Sequence, residues 1–539
     1  MKCFKTTLLA CALLGASAIA MAQNTQAKLD SGTIQGSASD GVIAYKGIPF
    51  AAPPVGPLRW RAPQPVKPWT GVKPTTVFAP DCMQVASPSG PMALGTAPSE
   101  DCLYANVWLP ADKGAGRLPV LVWIYGGGLV VGGSSPAVYS GEHFARKGVM
   151  FVSFNYRLGR FGFFGHPALT AENADGLLGN YGFMDEIAAL KWVQRNAAAF
   201  GGDAGNVTVL GESAGGRSVT MLLGTSLANG LYHRVIINSG GGRNPAPPSL
   251  SGSMPMGQPS AEETGLLFAK SVGVDGTGQE ALAKLRALPA EMIRGDLSMA
   301  TTRTNYFSLN MIDGKINVAS QNEQYLAGAN AKAPMIIGTT SADLASATPD
   351  TLDALFAQFG PYAEEAKAAY LGNGNKDLAQ LRGEMGRDRA LLEPARHVAT
   401  TYALRGIPTY VFRFSYVPAS MRDQWRTGVP HAMELPFVFG TVRARYGAAT
   451  TPADEKAADQ ILTYYANFAK TGDPNGAGLP EWPKYDPAKD VLMNFTMDDG
   501  PVAMQDPFHK RLDVTQKFNT QIPLPPVVAP VVPPAAPRR

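Results

Sequence analysis

The chain runs to 539 residues, 45% hydrophobic and 17% charged, with 47 Lys and Arg against 43 Asp and Glu for a formal charge of +4. Such a chain can bury a large core, and length alone would allow about three or four domains, although a large single-sheet enzyme also fits. With no basic cluster and no aromatic-interleaved basic stripe, nucleic acid is excluded as the expected partner.

The chain opens with MKCFKTTLLACALLGASAIAMA: a basic start, an apolar run from Leu8 to Ile19, and Ala20-Met21-Ala22 as a small-residue cleavage pattern. This reads as a secretory signal peptide over 1–22, too short an apolar run for a membrane anchor and with no stop-transfer pattern behind it. After cleavage no membrane anchor is expected, and loss of Lys2 and Lys5 leaves a charge of about +2. Cys3 and Cys11 leave with the signal, so Cys82 and Cys102 remain. In an oxidising compartment two such cysteines pair or stand as two buried thiols; pairing across so short a loop would stabilise the fold by about 3 kcal/mol. No other Cys or His lies near enough to complete a four-ligand metal site.

From Thr33 to Trp108 the chain is rich in Pro and Gly, with short strand-like pieces VIAYKGIPFA and LYANVWLP, which predict an antiparallel edge. LPVLVWIYGGG and GVMFVSFNYR read as buried strands. DEIAALKWVQRNAAAF reads as a helix, with Ile187, Leu190, Val193, Ala197 and Phe200 at helical spacing and Gly201-Gly202 as its stop. NVTVLGESAGG follows, then the strands LYHRVIINSG, APMIIGTT and PTYVFRFSY, the last two set among long helical stretches. This alternation predicts an α/β fold: a mostly parallel central sheet covered by helices on both faces, with an antiparallel N-terminal edge. GGGRNPAPPSLSGSMPMGQPS reads as a surface loop near the site. The end, IPLPPVVAPVVPPAAPRR, reads as a Pro-rich disordered tail over 521–539, leaving 23–520 as one domain.

In NVTVLGESAGG, Val207, Thr208, Val209 and Leu210 make a short buried strand, Gly211 and Gly215 permit a sharp reversal, and Ala214 opens a helix. Such an elbow holds the hydroxyl of Ser213 away from the backbone, as a nucleophile requires. The bare G-x-S-x-G pattern is common in loops, so its company decides. Upstream, Tyr125-Gly126-Gly127-Gly128-Leu129 follows a buried strand, and its bare N–H groups can face a carbonyl oxygen; Gly127, Gly128 and Ala214 are the expected oxyanion donors.

Together with EDCLYANVW, FNYRLGRFGFFG, GNYGFMDEIAALKWVQRNAAAFGGD and PHAMELPFVFG, these strings resemble type-B carboxylesterases, the cholinesterase-like branch of the α/β-hydrolases, and the bacterial para-nitrobenzyl esterases within it. The resemblance spans nearly the whole mature chain. It implies one central sheet, a nucleophile elbow, a deep gorge for neutral or cationic esters, and a Cys82–Cys102 bridge. Among six histidines (His143, His166, His233, His397, His431 and His509), the resemblance singles out His431 in GVPHAMELPFVFG as the base. The acid belongs between serine and histidine in chain order. Asp343 in IGTTSADLASA follows the matching strand, although the family usually carries Glu followed by Gly, and here Leu344 follows and Ala342 replaces an acidic neighbour.

Glu434 and Glu212 are the alternative acids. The resemblance implies a structural salt bridge for Glu434; for Glu212 it implies a charge that stabilises the imidazolium without orienting the ring. Asp313 reads as a turn residue. Leu129 stands where the family often has Phe. The expected activity is hydrolysis of a small-molecule carboxylic ester through an acyl-enzyme, in a secreted or periplasmic protein, with neither metal nor organic cofactor called for. Two other readings are a non-catalytic adhesion-type binding protein, which would have lost the serine or histidine retained here, and a serine amidase.

Overall fold

The computed structural model describes residues 25–521 apart from 86–92, 174–175, 244–245, 253, 255–256, 303–305, 329–331, 345–346, 349, 373, 375–376 and 499. The signal peptide expected at 1–22 lies outside the described residues. So does the expected tail, apart from Gln521, which ends the helix His509–Gln521.

Fourteen strands are described: β1 (Gln26–Lys28), β2 (Thr33–Gln35), β3 (Ser37–Ser39), β4 (Val42–Pro49), β5 (Val72–Pro74), β6 (Tyr104–Pro110), β7 (Leu118–Ile124), β8 (Met150–Phe154), β9 (Gly202–Glu212), β10 (Arg234–Asn238), β11 (Met335–Thr340), β12 (Thr409–Phe414), β13 (Val491–Phe495) and β14 (Pro501–Gln505). Eleven form one sheet in the order β14-β13-β12-β11-β10-β9-β7-β8-β6-β4-β3, and β1, β2 and β5 form a small second sheet. From β8 to β13 the neighbours are parallel, whereas β3, β4, β6 and β8 pair antiparallel, as the Pro- and Gly-rich N-terminal region predicts. A β13–β14 hairpin adds an antiparallel pair at the other edge, which the sequence reading did not anticipate.

The central strands are apolar on both sides because helices cover both faces: every residue of β8, β11 and β12 is buried. One covering helix, Tyr181–Phe200, begins four residues before the expected start at Asp185 and buries Ile187, Leu190, Val193, Ala197 and Phe200. Gly201 ends it in the left-handed conformation (φ 85°). Gly202 is no part of that stop; it is already the first residue of β9. Cys82 and Cys102 are joined by a disulfide with their Cα atoms 4.9 Å apart.

Candidate active site

The residues singled out from the sequence gather at the C-terminal ends of β7, β9, β10 and β11, where parallel sheets leave a crevice open to ligands. Ser213 lies between β9 and the helix Ala214–Gly224 with φ 56° and ψ −120°, a conformation strained for a residue with a side chain. Three close approaches make that turn possible. A Cβ at Gly211 would lie 2.2 Å from the Gly215 carbonyl oxygen, one at Gly215 would lie 2.1 Å from that of Ile124, and one at Gly216 would lie 2.8 Å from the Gly240 Cα. The small residues flanking Ser213 are therefore packing requirements between the helix and strands β7 and β10.

The glycine run after β7 lies against this elbow, since a Cβ on Gly126 would come within 2.9 Å of the Ser213 Cβ. Gly127 (φ 103°) and Gly128 (φ 63°) turn the backbone so that the Gly127 carbonyl accepts from Val130 and Val131, while the N–H groups of Gly127 and Gly128 find no backbone acceptor among the described residues. Ala214 is the first helical residue, so its N–H has no intrahelical partner either. Leu129 is buried and held at φ 63°, and the half-exposed Met299 packs on Gly128 from the overlying segment.

His431 and Asp343 come from different loops that are tied together by their neighbours. The Ala342 amide donates to the Val429 carbonyl at 2.9 Å, and the Val429 amide donates to Ser341 Oγ at 2.9 Å. His431 Nδ1 then meets Asp343 Oδ1 at 2.5 Å. Asp343 is fully buried at its side chain and accepts further hydrogen bonds from Ser239 Oγ (2.6 Å) and from the amides of Leu344 (2.8 Å) and Thr340 (3.3 Å). Burial opposes its charge, but the His431 charge and these hydrogen bonds outweigh it and hold the carboxyl below its ordinary range. The shorter aspartate arm is accommodated because the backbone of 341–343 is pinned to the histidine loop.

Ser239 is a site residue that the sequence reading missed. It sits just past β10 with φ 49°, in the Asn-Ser-Gly string that ends LYHRVIINSG, and only the tertiary fold brings its hydroxyl onto Asp343.

Glu212 stands closer than expected: its Oε1 is 3.1 Å from His431 Nε2, the ring nitrogen left over by Asp343, although neither atom has an aligned hydrogen bond. Burial first, and Asp343 after it, push the Glu212 carboxyl up to about 7, with the His431 charge opposing. Burial disfavours the His431 imidazolium, yet Glu212, Asp343 and Glu434 together raise its affinity for a proton above that of free imidazole. The salt bridge expected for Glu434 is not formed among the described residues. Glu434 is buried, accepts instead from the Asn238 side-chain amide at 3.3 Å, and is pushed up to about 8, mainly by burial and then by Glu212.

Four of the other five histidines have structural partners. His166 caps a short helix at the Ala168 amide, His233 accepts from the Val207 amide, His397 lies between Arg243 and Asn322, and His509 bonds the Asp506 carbonyl. His143 lines a surface cleft of about 640 Å³ with Glu142 and Arg443; neither this cleft nor a second of about 490 Å³ beside Trp192 is lined by Ser213, Asp343 or His431. Asp313 is the turn residue its sequence suggests, accepting from the amides of Lys315, Ile316 and Asn317.

The model of the carboxylesterase family matches residues 23–359 and 351–513. Fumonisin B1 esterase of Sphingopyxis macrogoltabida is 33% identical over 507 residues, covering 89% of each chain, and carboxylesterase 1C of Rattus norvegicus is 32% identical over 488, covering 84% of this chain and 85% of its own. A solved PNB esterase superposes with a TM-score of 0.76 at 30% identity, covering 92% of this chain and 99% of its own. Sequence and fold agree along almost the entire described length: the chain belongs to the carboxylesterase family, has the α/β-hydrolase fold, and is a carboxylic ester hydrolase.

Proposed function

We propose that this chain is an exported serine esterase that cleaves small carboxylic esters through an acyl-enzyme. Ser213 attacks the ester carbonyl while His431 Nε2 takes its proton; Asp343 holds Nδ1–H, fixes the tautomer and offsets the charge of the imidazolium. The amides of Gly127, Gly128 and Ala214 stabilise the tetrahedral oxyanion, each contributing about 3 kcal/mol at the barrier. His431 returns the proton to the leaving alcohol, and a water activated in the same way releases the acid. The observation that carries this reading is the 2.5 Å contact of His431 Nδ1 with a buried, multiply hydrogen-bonded Asp343, which leaves Nε2, 3.1 Å from the Glu212 carboxylate next to Ser213 in the chain, without a hydrogen-bond partner. Export rests on the 1–22 signal pattern, and the Cys82–Cys102 bridge fits a secreted or periplasmic setting. We assign residues 23–520 to one catalytic domain.

The test is Ser213→Ala, assayed with 4-nitrophenyl butyrate and by labelling with an organophosphonate. Turnover falls by about 10⁴-fold or more and the covalent adduct disappears, with the thermal unfolding midpoint retained. A variant that still turns over or still labels overturns the assignment.

A further inference from the structure

The helix behind Ser213 carries one residue out of keeping with the rest of its first two turns. Ala214, Gly215, Gly216, Ser218, Val219 and Thr220 are buried, whereas Arg217 is exposed. Its amide donates to the Ser213 carbonyl at 3.0 Å, and its own carbonyl accepts from the Gln321 side chain at 3.2 Å. Arg217 follows Ser213 by one turn, and helical Cα–Cβ bonds tilt toward the N-terminus, so its side chain sets out toward the Ser213 end of the helix.

No ion pair or hydrogen bond holds the Arg217 guanidinium among the described residues. Arg157, Arg243 and Arg160, by contrast, are neutralised or satisfied: Arg157 by Asp185 at 2.8 Å, Arg243 by Glu393 at 3.2 Å, and Arg160 by the carbonyls of Ile293 and Arg294. The protein around Arg217 lowers its pKa by desolvation, and no neighbouring carboxylate offsets the effect. An arginine open to solvent, partly stripped of water and lacking a counter-charge is prepared for an anion. Its planar fork fits a carboxylate through two parallel charge-assisted hydrogen bonds.

We propose that Arg217 is a specificity-determining residue that selects esters bearing a free carboxylate a few atoms from the scissile carbonyl, its guanidinium clamping that carboxylate while Ser213 attacks. This rests on the assignment of Ser213 as nucleophile, and it departs from the neutral or cationic esters that the family resemblance implies.

Two substrate pairs test it: 4-nitrophenyl hemiglutarate against 4-nitrophenyl butyrate puts the carboxylate on the acyl side, and 4-carboxyphenyl acetate against phenyl acetate puts it on the alcohol side. In at least one pair, Arg217→Gln lowers the anionic-to-neutral ratio of kcat/KM by about 10–100-fold, chiefly through KM, and Arg217→Lys recovers part of it. Equal losses on the anionic and neutral members of both pairs mean a structural role and overturn the proposal. A turnover-independent readout separates this from failure of the esterase reading. Glutarate binding to Ser213→Ala, measured by calorimetry, weakens by a similar factor when Arg217→Gln is added; binding that is absent from both proteins, or equal in both, also overturns the proposal.

Discussion

Glu212 sits where two demands on His431 meet. The histidine must be neutral to accept the Ser213 proton, yet its charged form must be stabilised once the proton arrives. The Glu212 carboxylate, 3.1 Å from Nε2, favours the charged form, and Asp343 does the same from the other side of the ring. Because Asp343 and Glu212 flank His431 within 3.1 Å and the Glu434 charge acts on all three, these groups titrate as one set. The sign of a Glu212→Gln change follows. A neutral amide no longer favours imidazolium, so the affinity of His431 for a proton falls and the free base persists to lower pH. The acid limb of the kcat/KM profile moves down by about one pH unit, while the plateau falls about tenfold because the imidazolium formed during attack loses a neighbouring charge. A pH–rate series on both proteins checks this, and an unmoved limb would mean that Glu212 does not act on His431. From the sequence alone Glu212 is one more acidic residue beside a serine. Its effect depends on the approach of a histidine more than 200 residues away in the chain.

The elbow is a device of whole elements. β7, β9 and the helix Ala214–Gly224 approach so closely that position 215 has no room for a methyl group, its Cβ falling 2.1 Å from a backbone oxygen that cannot swing aside. Gly215→Ala is expected to cost about 3 kcal/mol, at the upper end of overpacking penalties, because the obstruction is main chain rather than the end of a flexible side chain. The midpoint of urea unfolding reads the effect, with a matching loss of activity as Ser213 is displaced. The glycines were legible as a turn, since their spacing around a serine after a β-rich run is local information. The start of the helix Tyr181–Phe200 and the entry of Gly202 into β9 were not, because there the sheet register overrides the local glycine signal.

Across the molecule, the Cys82–Cys102 disulfide closes a 20-residue separation ahead of β6, in the antiparallel flank of the sheet. Replacing both cysteines by serine is expected to lower unfolding free energy by about 3 kcal/mol, the chain-entropy value for a loop of that length. Denaturant titration of the oxidised protein and the double variant measures it.

The sequence by itself determined the α/β class, the antiparallel N-terminal flank, the strand-to-helix turn at Ser213 and the glycine run, because each rests on periodicity or on glycine within a short window. It also singled out His431 and Asp343, through family-like strings rather than through any local physical signal. Only the tertiary structure decided that Asp343 meets Nδ1 of His431, that Ser239 supports that carboxylate, that Glu212 faces the other ring nitrogen, and that Glu434 bonds Asn238 in place of a salt bridge. Those contacts join strand ends and loops from β9 to the segment after β12, which are remote in the chain. Their geometry is set by strand order and loop docking, which no local pattern encodes.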